Sequence, residues 1–326
     1  MAEQVSPLSL PFSQQQLECA LSPLEQLSTF HVREVFTGNI NVILKVESDN
    51  HTYGVRVRLH ESVYRYEPDL MKEVFILRML QQADKAPNDM LLAEAFTRLR
   101  EAQRGMVSER YEGAPTVRYF DWSRQLLPHP YCIYEWVEGM PLVDSPTPEF
   151  YAQAGRVLAR IHQVRFSAFY ADFLSIGVAP VSWSERYRAA LMKECAAATP
   201  HLPPHIGAAL DALSIPSAAP CAPCLVHNDF APGNILVRDG QIVAVIDWDN
   251  AVIEAPQLDF VKMKYWTARN AASELAHNAE LFSVFVDGYG TTGQTIINSS
   301  LFTLYEILWL LRVFNFERAK ELQGIA

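Results

Sequence analysis

Between residues 30 and 59 apolar and polar positions alternate in three short runs, FHVREVF, INVILKV and TYGVRVRL, separated by Thr37-Gly38-Asn39 and Ser48-Asp49-Asn50. A period of two marks half-buried strands, and Gly, Asn, Asp and Ser are residues that turn a chain sharply. The pattern predicts three antiparallel strands. From Asp69 the period lengthens. Leu70, Val74, Leu77 and Leu80, with Met71 and Phe75, recur at helical spacing, and a second helical stretch is expected from Asp89 to Arg104. The strand period returns at VRYFDW and at YCIYEWVEG. Strands, helices and more strands in close succession predict a small α+β lobe with an antiparallel sheet.

The proline-rich segment MPLVDSPTP then marks a boundary, so the chain is expected to divide into residues 1–138 and a mainly helical lobe of 139–326. Thr147 can cap a helix with Pro148 at its first position, and Phe150, Ala154, Val157, Leu158 and Ile161 form one apolar face. Ile206 to Leu213 predicts a short helix, and only the stretch 225–248 interrupts the helical character with strands. The apolar stretch from Leu301 to Phe316 is broken by Glu306 and Arg312, which fits a buried amphipathic helix and not a membrane span.

Composition changes this picture little. The 326 residues are 49% hydrophobic and carry 27 Lys and Arg against 37 Asp and Glu, a formal net charge of -10. No run of basic residues is present, which argues against a nucleic-acid partner and leaves neutral or cationic small molecules as easier ligands. The amino terminus lacks a basic segment ahead of an apolar one, and the five cysteines are an odd number. Both point to a cytoplasmic protein with reduced thiols. Cys221 and Cys224 form a C-x-x-C, but no second pair stands at metal-ligand spacing, so they read as incidental thiols.

The chemistry concentrates in CLVHNDFAPGNILVRDGQIVAVIDWDNA, residues 224–251. Asp239-Gly240 makes a two-residue hairpin turn, so Arg238 should face Gln241, Val237 face Ile242 and, by continuation, Asn234 face Val245. Alternation would then put Asn234 on the face of Val243, Val245 and Asp247, with Asn234 and Asp247 diagonal neighbours about 7–8 Å apart by backbone. An amide oxygen and a carboxylate converging near a further carboxylate, Asp229, suit Mg²⁺. Such a cation commonly carries phosphate oxygens, and phosphoryl transfer needs a base beside it. Asp229 has the position for the base, and Asn234 with Asp247 for the metal. No G-x-x-x-x-G-K-[ST], G-x-S-x-G or H-E-x-x-H occurs.

VHNDFAPGNILV followed by AVIDWDNA resembles the catalytic and metal-binding segments of the aminoglycoside phosphotransferase family, relatives of choline kinase with a bilobal protein-kinase-like fold. The resemblance implies that Asp229 is the catalytic base, that Asn234 and Asp247 bind Mg²⁺, that His227 supports the loop and that Asp259 is a structural brace. In the first lobe it implies nucleotide binding. Gly38 lies in the turn over the phosphates, and Arg56 stands where the family has a phosphate-binding lysine, with Arg58 on the same face as a rival. Glu73 is the acidic partner of that cation, and the backbone from Glu135 to Val137 meets the adenine. ATP is the implied donor, with GTP as the alternative. The acceptor is a hydroxyl of a small molecule, an aminoglycoside or other antibiotic ahead of choline, homoserine or a sugar. Trp183, Tyr187, Tyr265 and Trp266 are candidate pocket walls, and Asp249, Glu254, Asp287 and Glu306 could meet a cationic acceptor. A protein kinase is disfavoured because no A-P-E follows Asp247, and a non-catalytic nucleotide-binding scaffold because Asp229, Asn234 and Asp247 are all present.

Overall fold

The alternation read between residues 30 and 59 is realised as β1 (His31–Thr37), β2 (Asn41–Glu47) and β3 (Thr52–Arg58). The computed structural model describes residues 12–24, 29–38, 41–48, 51–59, 70–81, 94, 97–98, 113–173, 175–217, 221–270 and 275–322. The helix expected over 89–104 therefore lies outside the described residues, apart from Glu94, Thr97 and Arg98, which are helical.

Two compact units are present, one of residues 1–83, 112–138 and 248–250, the other of 84–111, 139–247 and 251–326. The expected split into 1–138 and 139–326 differs from this at Trp248–Asn250, which group with the first unit, and, among the described residues, at Glu94, Thr97 and Arg98, which group with the second. The physical reason for the first exception is an ion pair from Asp249 to Arg56.

In the first unit β4 (Val117–Asp121) and β5 (Tyr131–Glu135) complete an antiparallel sheet of order β1-β2-β3-β5-β4. A helix absent from the sequence reading, α1 (Gln14–Leu21), covers one face of it. Its start is a capping box: Ser13 Oγ accepts from Gln16 N at 3.2 Å while Gln16 Oε1 accepts from Ser13 N at 2.7 Å. Leu17 and Leu21 then pack with Val42, Leu44, Val55, Val57 and Ile133. The helix expected after Asp69 is α2 (Leu70–Leu80), which contributes Glu73 beside Arg56. Strand alternation explains the arrangement, since Tyr53, Val55 and Val57 point to the α1 side and Arg56 to the α2 side.

In the second unit β6 (Met140–Pro141) pairs with β8 (Ile235–Arg238), which forms a hairpin with β9 (Gln241–Val245), and β7 (Cys224–Val226) pairs with β10 (Val252–Glu254). The helices are α3 (Pro148–Ile161), α4 (Trp183–Ala198), α5 (Pro204–Asp211), α6 (Gln257–Asn270), α7 (Leu275–Tyr289), α8 (Thr291–Ile297) and α9 (Ser300–Leu322). Thr147 caps α3 by accepting from Phe150 N at 3.3 Å. From α3 the side chain of Gln153 reaches the hairpin, donating to Gly240 O at 2.9 Å and accepting from Ile242 N at 3.1 Å. No single helix among the described residues is long and apolar enough to cross a membrane.

The hairpin corrects one expectation. Arg238 faces Gln241 and Val237 faces Ile242, but Leu236 faces Ala244 and Ile235 faces Val245. Val243 is an extra residue on β9, and a bulge of this kind reverses the side-chain parity beyond it. Asn234 consequently stands opposite Ile246, whose N–H donates to the Asn234 carbonyl at 2.9 Å. Strand alternation therefore does not bring Asn234 onto the face of Asp247, contrary to the expectation from a regular hairpin.

Candidate active site

The loop after β7 is built around a carboxylate that the solvent does not reach. Asp259, in the first turn of α6 and fully buried, accepts from His227 N at 2.8 Å, Asn228 N at 2.7 Å and the His162 ring at 3.1 Å. Its oxygens are thus committed to holding the loop. Burial lowers the His162 pKa, so its Nε2–H donates to Asp259 while Nδ1 faces the Tyr289 hydroxyl at 3.0 Å.

His227 tightens the same loop. Its Nδ1 accepts from Asp229 N at 3.2 Å, which leaves Nε2 to carry the proton and donate to Ile246 O at 3.0 Å. One imidazole thereby ties the chain before Asp229 to the chain before Asp247. Asn228 and Asp247 adopt left-handed φ values of 60° and 66°, a conformation that Asn and Asp tolerate better than other side chains.

Asn234 turns toward Asp229 and not along the strand. Its amide nitrogen donates to Asp229 O at 2.9 Å and to Asp229 Oδ2 at 3.0 Å. Two consequences follow from the valences. The nitrogen being spent, the Asn234 amide oxygen is left without a donor among the described residues. Asp229 Oδ1 likewise has none, so one carboxylate oxygen is anchored and the other is open. A half-buried carboxylate held this way can take a proton from a bound hydroxyl. Hard oxygens from Asn234 and Asp247 fit Mg²⁺ by donor type.

In the first unit Arg56 is buried, 6% exposed, and held by two carboxylates. Nη1 donates to Glu73 Oε1 at 3.0 Å and Nη2 to Asp249 Oδ2 at 2.6 Å. Arg58 is only half-buried, at the end of β3. Gly38 N donates to Asn41 O at 2.8 Å, closing the turn between β1 and β2, while Asn39 and Ile40 lie outside the described residues. Along the segment expected to meet adenine, Glu135 N donates to Thr116 O and Trp136 N to Thr52 O, both at 2.9 Å. Val137 N–H makes no hydrogen bond among the described residues, so it is the donor available there.

The residues expected around an acceptor separate into two groups. Trp183 and Tyr187 are core: they stack at 5.3 Å, Trp183 Nε1 donates to Tyr305 OH at 2.7 Å, and Tyr187 OH donates to Leu304 O at 2.6 Å. Tyr265 and Trp266 are half-buried on α6, with Tyr265 5.6 Å from the Trp309 ring. All four candidate acids have partners. Asp249 binds Arg56, Glu254 binds Arg186 and Tyr305, Asp287 accepts from Gln294, and Glu306 pairs with Lys264 at 2.5 Å. Burial raises the Glu254 pKa despite Arg186.

One residue that the sequence reading passed over is Lys262. It is 6% exposed, one turn beyond Asp259 on α6, with its Nζ 3.2 Å from the centroid of the Trp309 ring. Burial lowers its pKa to about 7, against the opposing pull of Asp229. The spacing Asp259-x-x-Lys262, which puts both on one helix face, is the signal that could have found it. The C-x-x-C is inert by contrast: both thiols have raised pKa values, Cys221 to about 11, with burial as the first cause.

The sequence model of the Phosphotransferase enzyme family matches residues 37–292. Among curated proteins no sequence match is found. Of solved structures, an assigned but unverified aminoglycoside phosphotransferase from Ralstonia eutropha JMP134 superposes with a TM-score of 0.63 at 16% identity, covering 97% of this chain and 91% of that one. A thermostable variant of aminoglycoside phosphotransferase APH(4)-Ia, in ternary complex with AMP-PNP and hygromycin B, gives 0.54 at 16% identity over 96% of each chain. Macrolide 2'-phosphotransferase MphH from Brachybacterium faecium gives 0.55 at 16% identity, covering 95% of this chain and 93% of that one. At such identities the structures establish the fold, an α+β kinase-like architecture with an antiparallel-sheet amino-terminal region and a helical carboxy-terminal region. With the family match spanning most of its length, the chain belongs to the Phosphotransferase enzyme family and is a small-molecule kinase.

Proposed function

We propose that the chain transfers the terminal phosphoryl group of ATP, or of GTP, to a hydroxyl of a small molecule, with Asp229 as the base. The observation that carries this reading is the Asn234 amide fixing Asp229 Oδ2 while Oδ1 stays open. The acceptor O–H gives its proton to Oδ1 as its oxygen bonds to phosphorus, and the bridging oxygen leaves with the nucleoside diphosphate. Arg56, positioned by Glu73, binds nucleotide phosphates, Gly38 lies in the turn over them, and the backbone at Glu135 and Val137 binds the base. Asn234 and Asp247 would hold Mg²⁺, which supplies charge neutralisation for the phosphates.

Hydroxylated antibiotics of the kinds bound or modified by the structural neighbours, aminoglycosides and macrolides, form the first acceptor panel, with choline, homoserine and sugars as the second. A role in antibiotic resistance follows if the first panel is used. The five free cysteines suit a cytoplasmic setting. The test is nucleotide consumption with each acceptor in the presence of Mg²⁺, repeated with Asp229→Asn. Turnover by the parent and none by the variant, at nucleotide affinity unchanged within about twofold, is expected. Loss of nucleotide binding in Asp229→Asn would overturn the assignment of the base, and no turnover with any acceptor would favour a nucleotide-binding scaffold.

A further inference from the structure

Lys262 poses a physical problem that the transfer chemistry leaves unused. Its side chain is nine-tenths buried, and among the described residues it makes no hydrogen bond or ion pair; its one close partner is the face of Trp309. Burying an amine costs several kcal/mol unless its donors are satisfied, and a ring face satisfies them only in part. Asp229, the proposed base, pulls on it electrostatically, and Arg312 from α9 adds a second positive charge to its surroundings. The four acids that might have received a cationic acceptor are each engaged by a side chain of the protein itself. Lys262 is thus a buried amine within electrostatic reach of Asp229 that pairs with no carboxylate among the described residues.

We propose that Lys262 is an acceptor-site binding residue whose amine, seated on Trp309, binds an anionic oxygen presented next to the hydroxyl that Asp229 deprotonates. This rests on the reading of Asp229 as the base. Two sources can supply that oxygen: an acid group carried by the acceptor, such as the carboxylate of a hydroxy acid, or the phosphoryl group in transfer. A polyammonium acceptor such as an aminoglycoside meets repulsion at this position under either source, so the acceptor panels above narrow to their neutral and acidic members.

The test compares the parent enzyme with Lys262→Met and Lys262→Arg under saturating Mg·ATP. The acceptors are matched sets: hydroxy acids, their uncharged amides, and polyamines bearing the same hydroxyl. Where the acceptor supplies the oxygen, the parent favours the acid over its amide by about tenfold or more in kcat/KM. Lys262→Met then raises KM for the acid about tenfold and leaves the amide within about twofold, and Lys262→Arg retains part of the preference. Where the phosphoryl supplies it, Lys262→Met lowers kcat by a similar factor for every acceptor and leaves KM unchanged. Kinetics of a folded Lys262→Met that match the parent within about twofold for all acceptors would overturn the proposal, as would a parent that favours polyamines. Folding is followed separately by thermal denaturation, where removal of the buried amine is expected to raise Tm. A parent that turns over no acceptor brings down the kinase reading itself, an outcome distinct from an active enzyme indifferent to Lys262.

Discussion

Asp247 holds a left-handed backbone, φ 66°, at the position proposed to bind Mg²⁺, and this decides which substitution can test that role. Asp247→Ala would remove the carboxylate and also force a Cβ residue of poor left-handed tolerance, at roughly 1 kcal/mol of strain. Asp247→Asn keeps the conformation and removes only the charge. The expected result for Asp247→Asn is unchanged stability with nucleotide affinity lowered about tenfold in Mg²⁺ and scarcely altered in its absence, measured by titration calorimetry. Lys262 makes the opposite kind of trade. Its folded pKa of about 7 lies below the value near 10.4 of an unfolded lysine. Below pH 7 the amine is charged in both states and the burial cost is fully present. Between pH 7 and 10.4 the unfolded chain binds the extra proton, so stability rises with pH across that window. Lys262→Met should therefore stabilise the protein by a few kcal/mol at pH 6 and by much less at pH 9.5, as urea denaturation at the two values would show.

At the scale of elements, α3 and α7 pack backbone against backbone in the second unit. A Cβ on Gly155 would fall onto the carbonyl oxygen of Phe285, and one on Gly288 onto that of Ala152. Gly→Ala inside a helix ordinarily gains up to about 1 kcal/mol, but here the added carbon meets backbone that cannot turn aside. Gly155→Ala or Gly288→Ala should destabilise by about 3 kcal/mol, seen as a lower denaturation midpoint, and should also disturb the Tyr289 to His162 hydrogen bond that supports Asp259. Elements with a long, clean period were legible in the chain. The strands β1 to β5, α2, α3 and the Asp239-Gly240 turn all follow from spacing and turn chemistry. The bulge at Val243 was not, because two-residue pairing rules carry no mark of where an extra residue slips in. Nor was α1, whose eight residues are too few to display a period, although Ser13-x-x-Gln16 carries its start signal. At the site, Asp229 and Asn234 announce themselves by spacing within one loop. Lys262 and Asp249 do not, because their meaning depends on Trp309 and Arg56, partners far away in sequence.

For the molecule as a whole, the formal charge of -10 opposes the approach of an anionic nucleotide, whatever the local attraction of Arg56. Salt screens that long-range field over about 10 Å at 0.1 M, while a buried contact is screened much less. The association rate of a fluorescent nucleotide should rise by a factor of about two or three between 10 and 150 mM salt, with the dissociation rate nearly constant. A falling association rate in stopped flow would mean that local cations govern the encounter. The three-residue excursion of Trp248–Asn250 bears on how the gene could be recombined. Exchanging residues 1–138 as a cassette would import a new Arg56 position without the carboxylate of Asp249 that completes its charge. A working chimera has to carry 248–250 along with the first segment, so inheritance of the amino-terminal unit is discontinuous in the DNA.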